Sequence, residues 1–243
     1  MIFIGIDDTD NKESGGTGRV AREIAAALRE RFPVLGVSRH QLLVDDRVPY
    51  TSNNSCNVIH LLTDDADRNA LAAWVSELLL ERCLVGSDPG LCLADSSAAG
   101  HPFGKAVQTR LTTQAEALTV AREVRAILHP LGGTGDGIIG ALAGVILAAG
   151  GNDGRFVEVG RTRELDGVVA VKELLSSGVK EVRTANGTLV TSGAVDTNGG
   201  RVRPIVQRHR PVLLVEPAGE DVWRVVELGK GGHKRKERPA CKQ

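Results

Sequence analysis

The chain has 243 residues, 42% hydrophobic and 25% charged, with aromatics at only 3% and 30 Lys plus Arg balancing 30 Asp plus Glu. That is the composition of a globular protein with a core of Val, Leu, Ile and Ala. It excludes a global basic field for nucleic acid and recognition by serial base stacking. No stretch of 18 apolar residues is present, the size a membrane helix needs, and the N-terminus enters a strand with no signal-peptide pattern.

In chain order, residues 2–6 read as a strand with Ile2, Ile4 and Ile6 on one face. The four-residue repeat of Val20, Ile24, Leu28 and Phe32 predicts a helix over 18–32, stopped by Pro33. Strands follow at 34–44 and 57–62, separated by a polar loop over 45–54. Residues 64–83 read as a second amphipathic helix with Leu71, Trp74, Val75, Leu78 and Leu79 inward, and 91–94 as a fourth strand. This strand–helix–strand–strand–helix–strand order is that of a ferredoxin-like split βαβ unit.

After the loop 101–104, helix is predicted through Leu128. Residues 138–147 are apolar all round and rich in Gly and Ala, which predicts a buried, closely packed helix. Further expectations are a strand at 155–163, a short helix at 168–176, an extended piece at 189–191, and strands at 202–207 and 212–215. Lys230, Lys234, Arg235, Lys236, Arg238 and Lys242 make the end a basic polar tail, a solvated segment or a phosphate contact. The cysteines Cys56, Cys83, Cys92 and Cys241 form no C-x-x-C pair or zinc spacing and read as reduced thiols of a cytoplasmic protein.

The residues that carry chemistry begin at the end of the first strand. Asp7, Asp8 and Asp10 place three carboxylates within four residues, a repulsion that a hard cation such as Mg2+ relieves. In extended chain Asp8 and Asp10 point one way and Asp7 the other, so the strand must end at Asp7 and turn for these acids to share a metal. The following turn, with Gly15, Gly16 and Gly18, opens a helix whose N-terminal amides suit an anion. Thr17 is a capping hydroxyl on one reading and a phosphate-contacting or phosphate-accepting group on the other.

A second glycine-rich segment, with Gly132, Gly133, Gly135 and Gly137 before Gly140, lacks the Gly-Lys-[Ser/Thr] of a P-loop and follows no predicted strand. It is either a flexible connection or a place where backbone approaches a nucleotide closely. Asp136 is a metal ligand or a cap. The run from Thr51 to Asn57 is a turn or a reader of a base or ribose edge. Lys105, Arg161 and Arg163 are candidate phosphate partners, and no Ser–His–Asp order is apparent among the six scattered His.

Ile4-Gly5-Ile6-Asp7-Asp8-Thr9-Asp10, the Gly-Gly-Thr-Gly turn, Val48-Pro49-Tyr50, Ser87-Asp88-Pro89-Gly90, Gly137-Ile138-Ile139-Gly140-Ala141-Leu142-Ala143 and Pro211-Val212-Leu213 occur in order. Together they resemble the archaeal agmatidine synthases, which modify the wobble cytidine of an isoleucine tRNA with agmatine using ATP. The similarity runs to about residue 216.

The resemblance implies an α+β chain: a kinase-like α/β domain over residues 1–160 with split βαβ character, a small ferredoxin-like region over 161–218, and a C-terminal extension over 219–243. It implies that Asp7, Asp8 and Asp10 organise Mg2+ and ATP, that Thr17 matches a phosphorylated threonine, and that Gly133, Gly135, Gly137 and Gly140 line the nucleotide. The family's turn reads Cys-Thr-Thr where this chain has Gly16-Thr17-Gly18. The family also carries an OB-fold and a zinc ribbon that grip tRNA, and no cysteine ribbon occurs here. The expectation is therefore an ATP- and Mg2+-dependent phosphotransferase or ligase with a small-molecule or RNA acceptor. A non-catalytic ATP-binding module, an RNA-modification subunit with a separate RNA-binding partner, and a homo-oligomer stay open.

Overall fold

A computed structural model of the chain describes residues 1–9, 16–48, 54–84, 86–197, 199 and 202–226. The fold is α+β; among the described residues six α-helices accompany one 12-stranded sheet. Its first half is built from β1 (Ile2–Asp7), α1 (Thr17–Leu28), β2 (Val34–Gln41), β3 (Ser55–Leu61), α2 (Arg68–Leu80) and β4 (Gly90–Asp95). These strands lie antiparallel in the order β4-β1-β3-β2, the split βαβ arrangement expected from the sequence. Ile2, Ile4 and Ile6 face α1 and α2, packing with Val20, Ile24, Leu28, Leu71, Val75 and Leu79. Trp74 and Leu78 are only partly buried at its margin.

The opposite sheet face is covered by α5 (Gly137–Ala149), which is buried on every side as its composition predicts. Its small residues let it sit on the strands at backbone distance. A Cβ on Gly5 would lie 2.2 Å from the carbonyl oxygen of Ala141, and one on Gly144 would lie 2.4 Å from the sulfur of Cys56. Phe3, Val58 and Cys92 complete this second core.

Several predicted elements differ. The first helix ends at Leu28 rather than Phe32; Phe32 reaches the core from the turn after it. The continuous helix expected through Leu128 is two helices, α3 (Phe103–Thr109) and α4 (Gln114–Glu123), followed by strand β5 (Ile127–Pro130) on the edge beside β4. Thr113 and Glu116 form a reciprocal cap that starts α4 and breaks the helical run. The glycine segment at 132–137 therefore does follow a strand.

Beyond α5, β6 (Arg155–Val159) joins β2 to the second half of the sheet. There β7 (Val168–Ala170) precedes α6 (Val171–Ser176), so the expected helix at 168–176 is strand in its first turn. Then come β8 (Glu181–Thr184), β9 (Ala194–Asp196), β10 (Ile205–Gln207), β11 (Arg210–Gly219) and β12 (Val222–Val225). Leu165, Val171, Leu174, Val182, Val195, Leu213 and Val215 form their own apolar cluster. No helix among the described residues is long and apolar enough to cross a membrane. Cys56, Cys83 and Cys92 are free thiols, and Cys241 lies outside the described residues, as does the basic tail.

Candidate functional site

Strand β1 delivers Asp7, and the chain turns at once: Asp8 has a positive φ of 50°. This is the turn the acids require to act together. It is held from two sides. The Asp8 carbonyl accepts from the Asp88 N–H at 3.1 Å, and the Thr9 N–H donates to Thr17 Oγ1 at 3.3 Å. Gly16, at φ 82°, is the residue before α1, in a conformation that favours glycine. Thr17 is thus the first helical residue, 6% exposed, and its hydroxyl ties α1 to the acid turn by accepting from Thr9. Asp10, Gly15, Thr51, Ser52 and Asn53 lie outside the described residues.

Helix α5 meets this turn through glycine. A Cβ on Gly140 would lie 1.7 Å from Asp7 Oδ2, and one on Gly137 would lie 2.0 Å from the Asp88 carbonyl oxygen. The Asp7 carboxylate therefore rests on bare helix backbone. Burial, then the nearby Asp7 and Asp153 carboxylates, push the Cys56 thiol well above its ordinary range and leave it inert.

The amides before α5 are already engaged. The Gly135 and Asp136 N–H groups donate to the Asp88 carboxylate at 2.7 and 3.0 Å, and the Thr134 hydroxyl donates to it as well. Gly133 and Gly135 thus turn toward Asp88, whereas Gly137 and Gly140, packed against Asp88 and Asp7, belong to the cavity wall. Asp136 is oriented by Gln114, whose amide donates to its carboxylate at 2.7 Å.

Between the acid turn and α5 lies a cavity of about 400 Å³. Its polar lining is Asp7, Asp8, Asp88 and Asp136, with Thr17, Thr134, Asn54 and Ser55. Its apolar lining is Leu42, Leu43, Val48, Val107, Leu111 and Ile139. Gly16 and Gly18 are not on its wall; Gly18 packs against the Asn57 amide instead. Asn54 holds the wall by donating to the Leu43 carbonyl at 2.8 Å. Among the described residues, no group of three or more His, Cys, Asp or Glu is arranged to hold a metal ion.

Among the described residues, the cations on the cavity wall are Arg47 and Arg110, which the sequence did not single out. Both are single arginines in loops, Arg47 just before the Val48-Pro49-Tyr50 stretch and Arg110 just after α3. Arg47 pairs with Asp45 at 2.7 Å and Arg110 with Glu116 at 2.8 Å. Of the basic residues singled out in the sequence, Lys105, Arg161 and Arg163 are not on the cavity wall. Lys105 is bound to Asp153 at 2.9 Å, Arg163 donates to the Val157 carbonyl, and Arg161 lies 4.0 Å from Glu164.

A Ser–His–Asp arrangement invisible in the sequence does form elsewhere. Ser38 Oγ lies 2.8 Å from His40 Nε2, and His40 Nδ1 lies 3.0 Å from Asp153. Asp153 only accepts, so His40 carries its proton on Nδ1, and its Nε2 accepts from the Ser38 hydroxyl. Ser38 Oγ then accepts from His60 Nε2 at 2.6 Å, which leaves His60 Nδ1 a buried lone pair without a partner. Ser38, His40 and His60 are each 0% exposed, so no substrate reaches this serine. Burial tends to raise the Asp153 pKa, but the His40 and Lys105 contacts override it and hold the carboxyl below its ordinary range.

Solved structures place this architecture. The TiaS–tRNA(Ile2)–ATP complex matches 59% of the chain at 26% identity with a TM-score of 0.53. A tRNA fluorescent labeling enzyme matches with the same figures, and the TiaS–tRNA(Ile2)–AMPCPP–agmatine complex matches 60% at 25% identity with a TM-score of 0.50. The chain shares its fold with TiaS, the tRNA(Ile2) agmatidine synthetase. The resemblance read from the motifs is thus upheld in the fold, over 59% of the chain rather than nearly all of it. The chain spans about a third of the length of these neighbours, 35% of the ATP complex. No protein-family model and no curated protein sequence matches it.

Proposed function

We propose that the chain binds ATP in the cavity beside Asp7 and Asp8 and uses it as a phosphotransferase or ligase. The observation that carries this reading is the meeting of the acid turn with glycine backbone of α5 at a single cavity. Support comes from the structural neighbours, which include TiaS with tRNA and ATP and with tRNA, AMPCPP and agmatine. The volume of about 400 Å³ falls within the range of small-molecule sites. Its apolar lining suits a base and its polar lining a charged chain.

The Asp7 and Asp8 carboxylates beside a polyphosphate require a cation between them, the role we assign to Mg2+. Asp7 and Asp8 fit that ion, which is commonly held by one or two carboxylates with phosphate oxygens and water completing its shell. Asp10 follows as a third donor in the motif. Bound there, Mg2+ would neutralise phosphate charge, while Gly137 and Gly140, which leave room for the Asp88 carbonyl and the Asp7 carboxylate, would line the nucleotide. Thr17 is the proposed phosphate-contacting or phosphate-accepting hydroxyl. The working division is a nucleotide-binding domain over residues 1–160, a smaller region over 161–218, and a cytoplasmic setting.

The test is ATP binding by calorimetry, with and without Mg2+, on wild type and Asp8→Asn. Mg2+-dependent binding lost in the variant supports the reading; no binding to wild type refutes it. ATP consumption with candidate acceptors then separates an enzyme from a sensor. A role in RNA modification is the second reading, favoured by the tRNA in the neighbouring complexes. It requires tRNA affinity that falls steeply with salt and is weakened by deleting residues 230–243.

A further inference from the structure

The Ser87–Gly90 segment is tied to both walls of the cavity. Its Asp88 N–H holds the carbonyl of Asp8 at the acid turn, and its carboxylate takes the Thr134 hydroxyl and the Gly135 and Asp136 amides. Its carbonyl sits where a Cβ of Gly137 would be, 2.0 Å away, and the next carbonyl, of Pro89, accepts from Leu131 at 2.8 Å.

We propose that Asp88 is a positioning residue, an internal strut that fixes the acid turn and the Thr134–Gly137 wall at one spacing. The glycine loop is then folded around a carboxylate of its own protein and does not itself grip phosphate. A competing arrangement has Asp88 as a plug that swings away when phosphate takes the amides. The packing argues against it. Gly133, at φ 59°, wraps the side chain so closely that a Cβ there would meet Asp88 Cβ and its carboxyl carbon at 2.7 Å. The main chain is also pinned on both sides, and three donors hold the carboxylate against the loop. What Asp88 positions the walls for rests on the nucleotide reading; its hold on the loop does not.

Two measurements decide the matter. Amide exchange by NMR on the ligand-free wild type is expected to show Gly135 and Asp136 protected before any nucleotide is added, and unprotected in Asp88→Ala. Calorimetry with ATP and Mg2+ is expected to show a loss of tenfold or more in affinity for Asp88→Ala. Asp88→Asn is expected to lose less, because it keeps one acceptor oxygen and the Thr134 hydroxyl can reverse to accept from its amide. Asp88→Asn carries the test should the alanine variant not fold.

Unchanged or tighter ATP binding in the variants overturns the strut, and tighter binding identifies the plug. Free exchange of both amides in ligand-free wild type also overturns it. So does a fall in the urea midpoint with ATP affinity of the folded protein intact, the mark of a merely structural side chain. A wild type that binds no ATP removes the nucleotide reading, and the exchange pattern alone then upholds or overturns Asp88's hold on the loop.

Discussion

Gly140→Ala separates the cavity from the fold. In a helix free of tertiary contact, this substitution stabilises by about 1 kcal/mol, because alanine loses less backbone freedom than glycine. Here the new methyl would lie 1.7 Å from Asp7 Oδ2 and 2.9 Å from Leu42 Cδ1. Both obstacles are ends of side chains rather than main chain, so they can yield while α5 stays seated. Overpacking of this kind costs about 1–3 kcal/mol, which the helix gain partly offsets. The net change in stability is therefore within about 2 kcal/mol, read as a modest shift in the urea midpoint. Asp7, by contrast, must leave its place by more than about 1 Å, a displacement that can cost on the order of 100-fold at a reacting group. Titration of the folded variant with ATP and Mg2+ should show at least a tenfold loss, about 1.4 kcal/mol. An unchanged ATP affinity would refute the assignment of Asp7 to the nucleotide site. A stability loss above about 4 kcal/mol would refute the claim that only side chains stand in the way.

Gly5→Ala makes the opposite case: its methyl would meet the Ala141 carbonyl at 2.2 Å, so α5 must lift from the sheet. We expect a loss of about 3 kcal/mol or more, checked by guanidinium denaturation. Acid should destabilise the protein through His60, whose pKa is lowered to about 3 by burial, then by His40 and His209. The unfolded imidazole takes its proton near pH 6.5 and the folded one resists, so stability is complete above that pH and falls toward pH 3 at up to about 1.4 kcal/mol per pH unit. Unfolding midpoints from pH 7 to 4 check this, and His60→Phe, flanked by Phe3 and Phe156, should flatten the profile. Lys105→Ala should leave ATP affinity unchanged and cost under about 1 kcal/mol, because its exposed ammonium is committed to Asp153. A tenfold affinity loss in that variant would contradict the pairing.

Much of the first half was legible because its signals are local. The alternation of Ile2, Ile4 and Ile6, the four-residue spacing of Val20, Ile24 and Leu28, and the unbroken apolar surface of 138–147 each fit within a few turns of chain. From them followed the split βαβ order. Strands such as β5, β8 and β12, of four residues each, were not legible. They carry too few alternations to show a period, and exist because a partner strand offers them hydrogen bonds.

The cavity divides in the same way. The sequence by itself determined that three acids close the first strand, that glycines open the next helix, and that a small-residue helix must be buried close to its neighbours. Only the tertiary structure decided that Asp8 turns, that Asp7 rests on Gly140, and that Arg47 and Arg110 are the cations at hand. It alone joined Asp88 to Gly135, 47 residues on, and His40 to Asp153, 113 residues on. Periodicity is written in neighbouring residues and survives in any context. Such pairings depend on strand register and on how near a helix can approach a sheet, and these are settled by the whole chain at once.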